Sequence, residues 1–482
     1  MTCRVTVLPQ NVSVTAPVGE NLLSVLRRAD LAPDAPCGGN GKCGKCLVTV
    51  NGQQVSACRY TVQRDMTVVL HQTSSQNILT GGISHQPGKL PLKNGYLLAV
   101  DIGTTTLAAY LISGATGQQT ACCSAPNPQA PFGADVVSRI QSALRLNGGE
   151  LTQSITRGLQ ELTNELCRQA NIHTRDILQV CLVGNPAMMQ LFWGMPLDNL
   201  AYLPYGNAFP QMHTATHPLW KNATVYTLPG FSAFVGADTA ACILATEMDK
   251  AENMTLLVDI GTNGEMVMGN RHRLLCCSTA AGPALEGAGI SCGTVAKEGA
   301  IDRVTIKDGV LSCRVIGQGK ATGICGSGLI DAVACALKLQ LINSRGKVLT
   351  ADGTIPLQDG LFLTQEDIRQ VQLAKGAICA GIRLLAQELT LSLENIQTVY
   401  LAGAFGTYLD PVSACRIGLL PPELAGKTCP VGNAAGSGAK RILCDANAIS
   451  RVEDITKLVT PISLAEHPAF RRCFAESMRF SL

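Results

Sequence analysis

Cys37, Cys43, Cys46 and Cys58 stand in a C-x5-C-x2-C-x11-C pattern, the first three within Pro36-Cys37-Gly38-Gly39-Asn40-Gly41-Lys42-Cys43-Gly44-Lys45-Cys46. Within one residue this is the C-x4-C-x2-C…C spacing that holds a 2Fe–2S cluster on four thiolates. The glycines let a loop wrap tightly around an inorganic core. They also leave backbone N–H groups free to point at sulfur, which helps set a reduction potential. A structural zinc site usually pairs two short cysteine knuckles, and only one C-x-x-C is present here. The four thiolates predict a chain that moves electrons.

A second set of chemically suited residues occurs twice. The segment from Leu97 to Thr106, centred on Asp101-Ile102-Gly103-Thr104-Thr105, recurs from Leu256 to Glu265 as Asp259-Ile260-Gly261-Thr262-Asn263. Each reads as an apolar strand that ends in aspartate, turns at Gly-Thr and returns as a second strand. Asp101 and Asp259 then place two carboxylates at a cleft floor, suited to hold Mg²⁺ directly or through water. The turns Gly103-Thr104-Thr105 and Gly261-Thr262-Asn263 offer N–H and hydroxyl groups to phosphate oxygens. One such turn is common, whereas two in repeat-equivalent positions carry weight. Gly403-Ala404-Phe405-Gly406 lets a base or ribose approach the backbone at a helix start. Gly326-Ser327 opens another helix whose N-terminus suits an anion. A phosphate-bearing nucleotide with Mg²⁺ is the class of ligand these groups suit.

These residues need elements to hold them. Arg4–Pro9 and Val12–Ala16 alternate with period two and read as a β-hairpin. Glu20–Ala29 has apolar residues at 22, 23, 25 and 26 and reads as a helix on that hairpin. The cysteine loop, the strand Cys46–Val50 and a returning strand Met66–Leu70 complete a β-grasp unit. Gln72–Asn94 carries Gly, Pro, Ser and Gln without periodicity, which predicts a linker that lets the first unit swing. The repeat continues beyond the hairpins: Ile177–Asn185 corresponds to Ile396–Ala404, each a buried strand breaking at glycine into a helix. The expected fold is α/β, a β-grasp unit followed by a duplicated two-lobed body. Its expected parts are 1–75, a linker 76–95, a first lobe 96–250 and a second lobe 251–482.

Composition narrows the function classes. At 482 residues the chain is too long for one core. Apolar residues at 46% against 15% charged fit a globular α/β protein rather than a disordered one. A net charge of +3 makes no electrostatic case for nucleic acid. No run of 18 apolar residues predicts a membrane span, and no apolar signal core follows Met1. The 21 scattered cysteines, with adjacent pairs Cys122-Cys123 and Cys276-Cys277, read as reduced thiols of a cytoplasmic protein. Outside the N-terminal four, each is expected to be a small buried apolar residue. Gly432–Lys440 is glycine-rich but matches neither a P-loop nor a dinucleotide fingerprint, and is expected to pack a helix close to the cleft. Electrons should therefore come from an external low-potential donor.

Residues 1–75 resemble the 2Fe–2S ferredoxins, and the duplicated Asp-x-Gly-Thr body resembles the acetate kinase, sugar kinase, heat-shock ATPase and actin superfamily. The combination in one chain resembles the reductive activators of corrinoid proteins, over nearly the full length. Asn127-Pro128-Gln129, Gly133–Ile140, Gly184–Met188, Gly236–Thr239 and Gly282–Gly287 look like the same family. The resemblance implies ATP-dependent electron transfer from the cluster to a Co(II) corrinoid, regenerating Co(I) for methyl transfer. The implied partner is a cobalamin-binding protein of a methyltransferase system, and the chain is compatible with a homodimer. Each ~59 mV uphill costs about 1.4 kcal/mol for one electron. ATP helps only by binding one lobe arrangement better than another.

Asp101 and Asp259 are expected to hold the metal–phosphate, and Thr104, Thr105, Thr262 and Asn263 to contact phosphate. Glu265 or Asp238 is expected to orient a hydrolytic water. The plainer readings are a hairpin charge for Glu265 and a helix N-cap for Asp238. Glu286 is equally open. Met188-Met189 and Phe192-Trp193 read as a helix core face rather than a docking surface. Two rival functions are a small-molecule kinase with a redox-sensing domain and an ATP-gated protein that presents its ferredoxin to a partner. The activators of 2-hydroxyacyl-CoA dehydratases share the ATPase body but lack a fused ferredoxin.

Overall fold

The computed structural model describes residues 2–29, 31–33, 39, 46–70, 81–88, 90, 92, 94–146 and 148–480. The N-terminal sheet runs in the order Val12–Pro17, Thr2–Leu8, Met66–Val69, Leu47–Val50, Gln53–Ser56. Thr2–Leu8 and Val12–Pro17 form the expected antiparallel hairpin, and Met66–Val69 returns parallel to the first strand. Cys3, Val5 and Val7 alternate inward against the helix Leu22–Arg28, whose Leu22, Leu23, Val25 and Leu26 close the core. Asn21 sets the helix start: its Oδ1 accepts from the Leu23 N–H at 3.1 Å while its Nδ2 donates to the Cys58 carbonyl at 2.9 Å. One capping residue thus ties the helix to a cysteine segment. Gln53–Ser56 is a strand that periodicity did not predict. It follows Leu47–Val50 through Asn51-Gly52, both at positive φ, the conformation a tight hairpin turn requires.

The body contains two six-stranded sheets that share a five-strand topology, each with its sixth strand on the opposite edge, His213–His217 in one and Val459–Pro461 in the other. The first runs His213–His217, Trp220–Thr227, Ile177–Gly184, Tyr96–Ile102, Thr106–Ser113, Gln119–Pro126. The second runs Thr428–Gly432, Thr398–Ala402, Thr255–Ile260, Gly264–Asn270, Arg273–Thr279, Val459–Pro461. Ile177–Gly184 lies parallel beside Tyr96–Ile102, and Thr398–Ala402 lies parallel beside Thr255–Ile260. The central strands are apolar on both faces, as in Leu97-Leu98-Ala99-Val100, because layers cover them on both sides. The duplication read from the sequence is therefore a duplication of fold.

Two helices, Ala237–Thr246 and Ala434–Cys444, pack against each other, the second also on Tyr96–Ile102 and Ile177–Gly184. Gly438 permits the approach, since a Cβ there would strike the Ala241 carbonyl. Arg441 pairs with Glu247 at 2.6 Å, joining the helix ends, and Arg451 of the next helix, Ala448–Leu458, pairs with Asp249 at 2.5 Å. The glycine-rich run 432–440 thus packs a helix beside the cleft, as expected. Met188, Met189 and Phe192 are buried in the core, which agrees with the core-face reading.

The N-terminal unit touches the first lobe through Arg27. Its Nε and Nη2 donate to the Pro131 carbonyl, Nε at 3.1 Å, and its guanidinium lies 4.8 Å from the Phe132 ring centroid. Contacts of these kinds contribute about 1–3 kcal/mol together. Arg27→Ala is expected to release the unit and raise the radius of gyration in small-angle scattering. An unchanged radius would show that other contacts hold it.

The described part of the linker is seated on the body. Gly82 bridges to Gly432, the Asn433 N–H donates to the Gly81 carbonyl at 2.8 Å, and the Gly88 N–H donates to the Cys444 carbonyl at 3.1 Å. Residues 81–88 are a strap, where composition alone predicted free chain.

Candidate functional site

Between the two lobes lies a cavity of about 270 Å³, walled by both Gly-Thr turns and by Asp101, Asp238, Asp259, Glu265 and Glu286. Asp101 and Asp259 stand near the ends of matching strands, as the repeat predicted. The two hairpins differ in one respect: Asp259 pairs across the ladder with Glu265, whereas Asp101 pairs with Ala108. Glu265 thus faces the cavity beside Asp259 and accepts from the Ser278 hydroxyl at 3.2 Å. Asp238 lies in the first turn of Ala237–Thr246, where Gly236 holds the N-cap position. Its Oδ1 accepts from the Thr239 N–H at 2.7 Å. Asp238 is therefore not the N-cap residue, although its carboxylate still accepts a first-turn N–H.

The hydroxyls expected to meet phosphate already have partners. Thr104 accepts from Asn185 Nδ2 at 2.9 Å. Thr105 and Thr262 both donate to one oxygen of Glu286, at 2.9 and 3.0 Å. Glu286 thereby joins the turns of the two repeats, and phosphate binding between them must reorganise these bonds. Gly103, Gly261 and Asn263 line the same cavity. Gly403, at φ +82°, also lines it, and a Cβ there would stand 2.7 Å from Asp259 Oδ1. Ala404 follows in the helix Gly403–Tyr408. Gly326 and Ser327 present the start of the helix Gly326–Lys338 to the cavity. The Ser327 hydroxyl is spent on the Asp302 carbonyl at 3.0 Å, leaving backbone N–H groups as the anion donors.

At the N-terminus, Cys37 and Cys43 lie outside the described residues. Cys46 is fully buried, and the Cys58 N–H points at its sulfur at 3.5 Å. An N–H aimed at a thiolate is the kind of contact that tunes an iron–sulfur ligand, so the described pair fits such a group. None of the described cysteines forms a disulfide, and most of those outside the motif are buried or half-buried.

Comparison with known proteins places these features together. Residues 5–70 match the model of the 2Fe-2S iron-sulfur cluster binding domain, residues 96–251 that of the RACo middle region, and residues 253–481 that of the C-terminal domain of RACo, the ASKHA domain. The corrinoid activation enzyme RamQ of Eubacterium limosum is 33% identical over 447 residues, covering 85% of this chain and 74% of that protein. The chain belongs to this family, the reductive activators of corrinoid proteins. A second relative, the [Co(II) methylated amine-specific corrinoid protein] reductase of Methanosarcina barkeri, is 28% identical over 401 residues, 76% of this chain and 73% of that one. A solved structure described as a reductive activator for corrinoid, iron-sulfur protein superposes with a TM-score of 0.72 at 25% identity, covering 99% of this chain and 98% of that one. An iron–sulfur cluster and ATP are accordingly the activator's cofactor classes.

The activator's cleft is rich in carboxylates and poor in cations. Burial pushes Asp101 and Asp259 up to about 7 and Asp238 up to about 6, and the neighbouring Asp238 charge raises Asp101 and Asp259 further. Glu265 and Glu286 are raised for the same first cause, burial. A bound divalent cation would reverse these shifts by favouring the charged forms. Among the described residues, no three His, Cys, Asp or Glu side chains converge to hold a metal ion by themselves. That donor set fits a cation shared with phosphate and water, the usual habit of Mg²⁺.

Asn433 and Tyr408 also line the cavity and were not among the expected site residues, while Glu286, left open by the sequence, and Phe405 of the Gly403–Gly406 run line it too. Asn433 Nδ2 donates to Asp101 Oδ2 at 2.8 Å. Phe405 and Tyr408 extend the Gly403-Ala404 helix start with rings on which a base can lie. No helix among the described residues is long and apolar enough to cross a membrane.

Proposed function

We propose that the protein carries out ATP-dependent reductive activation of a corrinoid protein, delivering one electron from an N-terminal 2Fe–2S cluster to Co(II) so that Co(I) is regenerated. The observation that carries this reading is a four-cysteine ferredoxin unit fused to a cleft in which both repeats turn Asp and Gly-Thr toward one cavity. When bound, the cluster supplies single electrons and Mg²⁺–ATP supplies differential binding energy. Residues 1–75 act as the electron-carrying unit, 76–95 as its tether, and 96–250 and 251–482 as the two lobes. Cys37, Cys43, Cys46 and Cys58 hold the cluster. Asp101 and Asp259 hold Mg²⁺ through water and phosphate, and the Gly103 and Gly261 turns cradle phosphate with their N–H groups. Gly326 offers further N–H groups, while Gly403 and Ala404 pass the base. Glu265 or Asp238 orients the hydrolytic water, with Asp259 placing Glu265 across the ladder.

The relatives' names supply the partner class, a corrinoid protein. The electron donor is an external low-potential carrier. The test is anaerobic: reduced protein, a Co(II) corrinoid methyltransferase protein and ATP are mixed, and the Co(I) absorbance band is followed. The band is expected to grow only with ATP. Phosphoryl transfer to an added metabolite, with no Co(I) from any corrinoid partner, would favour the kinase reading instead.

A further inference from the structure

The linker strap and the nucleotide cleft share one residue. Asn433 uses its side-chain amide to hold Asp101 at 2.8 Å and its backbone N–H to hold the Gly81 carbonyl at 2.8 Å. Its Oδ1 accepts from the Gly436 N–H at 2.6 Å, which fixes the side chain at the start of the helix Ala434–Cys444. Asn433 is therefore bonded to Asp101 and to the strap at once.

The strap is fitted to this position. A Cβ on Gly82 would stand 2.6 Å from the Asn433 carbonyl oxygen and would also strike the Ser437 hydroxyl. A Cβ on Gly432, at φ +64°, would strike the Gly81 carbonyl. Further along, His85 is half-buried near Arg441, with its Nε2 enclosed. Gly88 then bonds the far end of the same helix at Cys444. Backbone contacts at both ends of Ala434–Cys444 hold the segment that precedes the body and follows the ferredoxin.

We infer that the strap 81–88 and Asn433 position Asp101 for the nucleotide, so that occupancy of the cleft and seating of the ferredoxin's tether are coupled. The coupling rests on the reading of the cleft as an ATP site. It is reciprocal: whatever the strap contributes to nucleotide affinity, the nucleotide returns as seating of the strap. MgATP thereby regulates how firmly the electron-carrying unit is tethered, without touching that unit.

The test is a double-mutant cycle on the full chain, with MgATP affinity as readout. Gly82→Ala is expected to weaken MgATP about tenfold, within the usual range for coupled sites, with the cluster spectrum unchanged. In an Asn433→Ala background, the same substitution is expected to cost no more than about twofold, since connected residues are non-additive. In the unsubstituted protein, MgATP is expected to slow hydrogen exchange at the Gly88 amide, whose partner Cys444 lies away from the cleft. Equal affinity in Gly82→Ala, full additivity in the cycle, or an unchanged Gly88 amide overturns the coupling while leaving the ATP reading intact. Failure of the unsubstituted protein to bind MgATP would overturn that reading and the coupling with it.

Discussion

Cys46→Ala is expected to abolish Co(I) formation while leaving MgATP affinity within about twofold of the unsubstituted protein. Cys46 is fully buried in the N-terminal core, and the Cys58 N–H is already directed at its sulfur. Alanine supplies no ligating atom, so the proposed four-thiolate site loses one of its donors at a fully buried position. The ATP cleft is built from other elements, so it should keep its ligand. The loss of a buried thiol alone costs stability like any small core truncation. Cys3 provides the control, being buried in the same sheet but outside the motif. Cys3→Ala is expected to retain the cluster's visible absorbance and its reduced-state paramagnetic signal. A full-intensity cluster spectrum in Cys46→Ala would remove Cys46 from the ligand set, and a colourless Cys3→Ala would mean that the core rather than the ligand was being read.

The parts of this molecule that were legible in advance share one property: their signal is carried by neighbouring residues in the chain. Period-two alternation over Arg4–Pro9 predicted a strand, and the structure buries its Val5 and Val7. The two Asp-x-Gly-Thr hairpins repeat their own sequence, so their equivalence needed no coordinates. The strand Gln53–Ser56 also had a local signal in Asn51-Gly52 that went unused. Glu286 is different. It reaches Thr105 from 181 residues away, so only the closing of the lobes assigns it a place. Asn433 meets Asp101 across 332 residues in the same way. The linker failed for another reason. Its seating is made by backbone N–H and carbonyl groups of glycines, and backbone hydrogen bonding leaves no mark on side-chain pattern. A glycine-rich stretch reads as free chain whether it is solvated or bonded.

Asp259→Asn is expected to separate the site's function from its cost in stability. Burial pushes Asp101 and Asp259 up to about 7 from an unfolded value near 3.8, and Asp238 up to about 6. Between those limits the folded, nucleotide-free protein binds protons that the unfolded chain has lost. Stability from these groups is therefore complete below about pH 4 and is lost as pH rises through about 7. The Tm of the nucleotide-free protein should fall from pH 5 to pH 8, while the rise in Tm produced by MgATP should grow over the same interval. MgATP binding near pH 7 should also release protons, visible as a buffer-dependent calorimetric heat. Asparagine fits the same space beside Gly403 but cannot carry the charge, so Asp259→Asn should raise the nucleotide-free Tm at pH 8 and flatten its pH dependence. Loss of a charge-assisted contact worth about 1.5–3 kcal/mol should weaken MgATP by about 10- to 100-fold, and ATP-dependent Co(I) formation should fall with it. A variant that lost both Tm and nucleotide would mark Asp259 as a structural acceptor, since the Cys242 thiol already lies 3.8 Å from its Oδ2. A variant more stable than the parent yet unable to hold MgATP would mean that the cleft keeps its destabilising carboxylates for the ligand they bind.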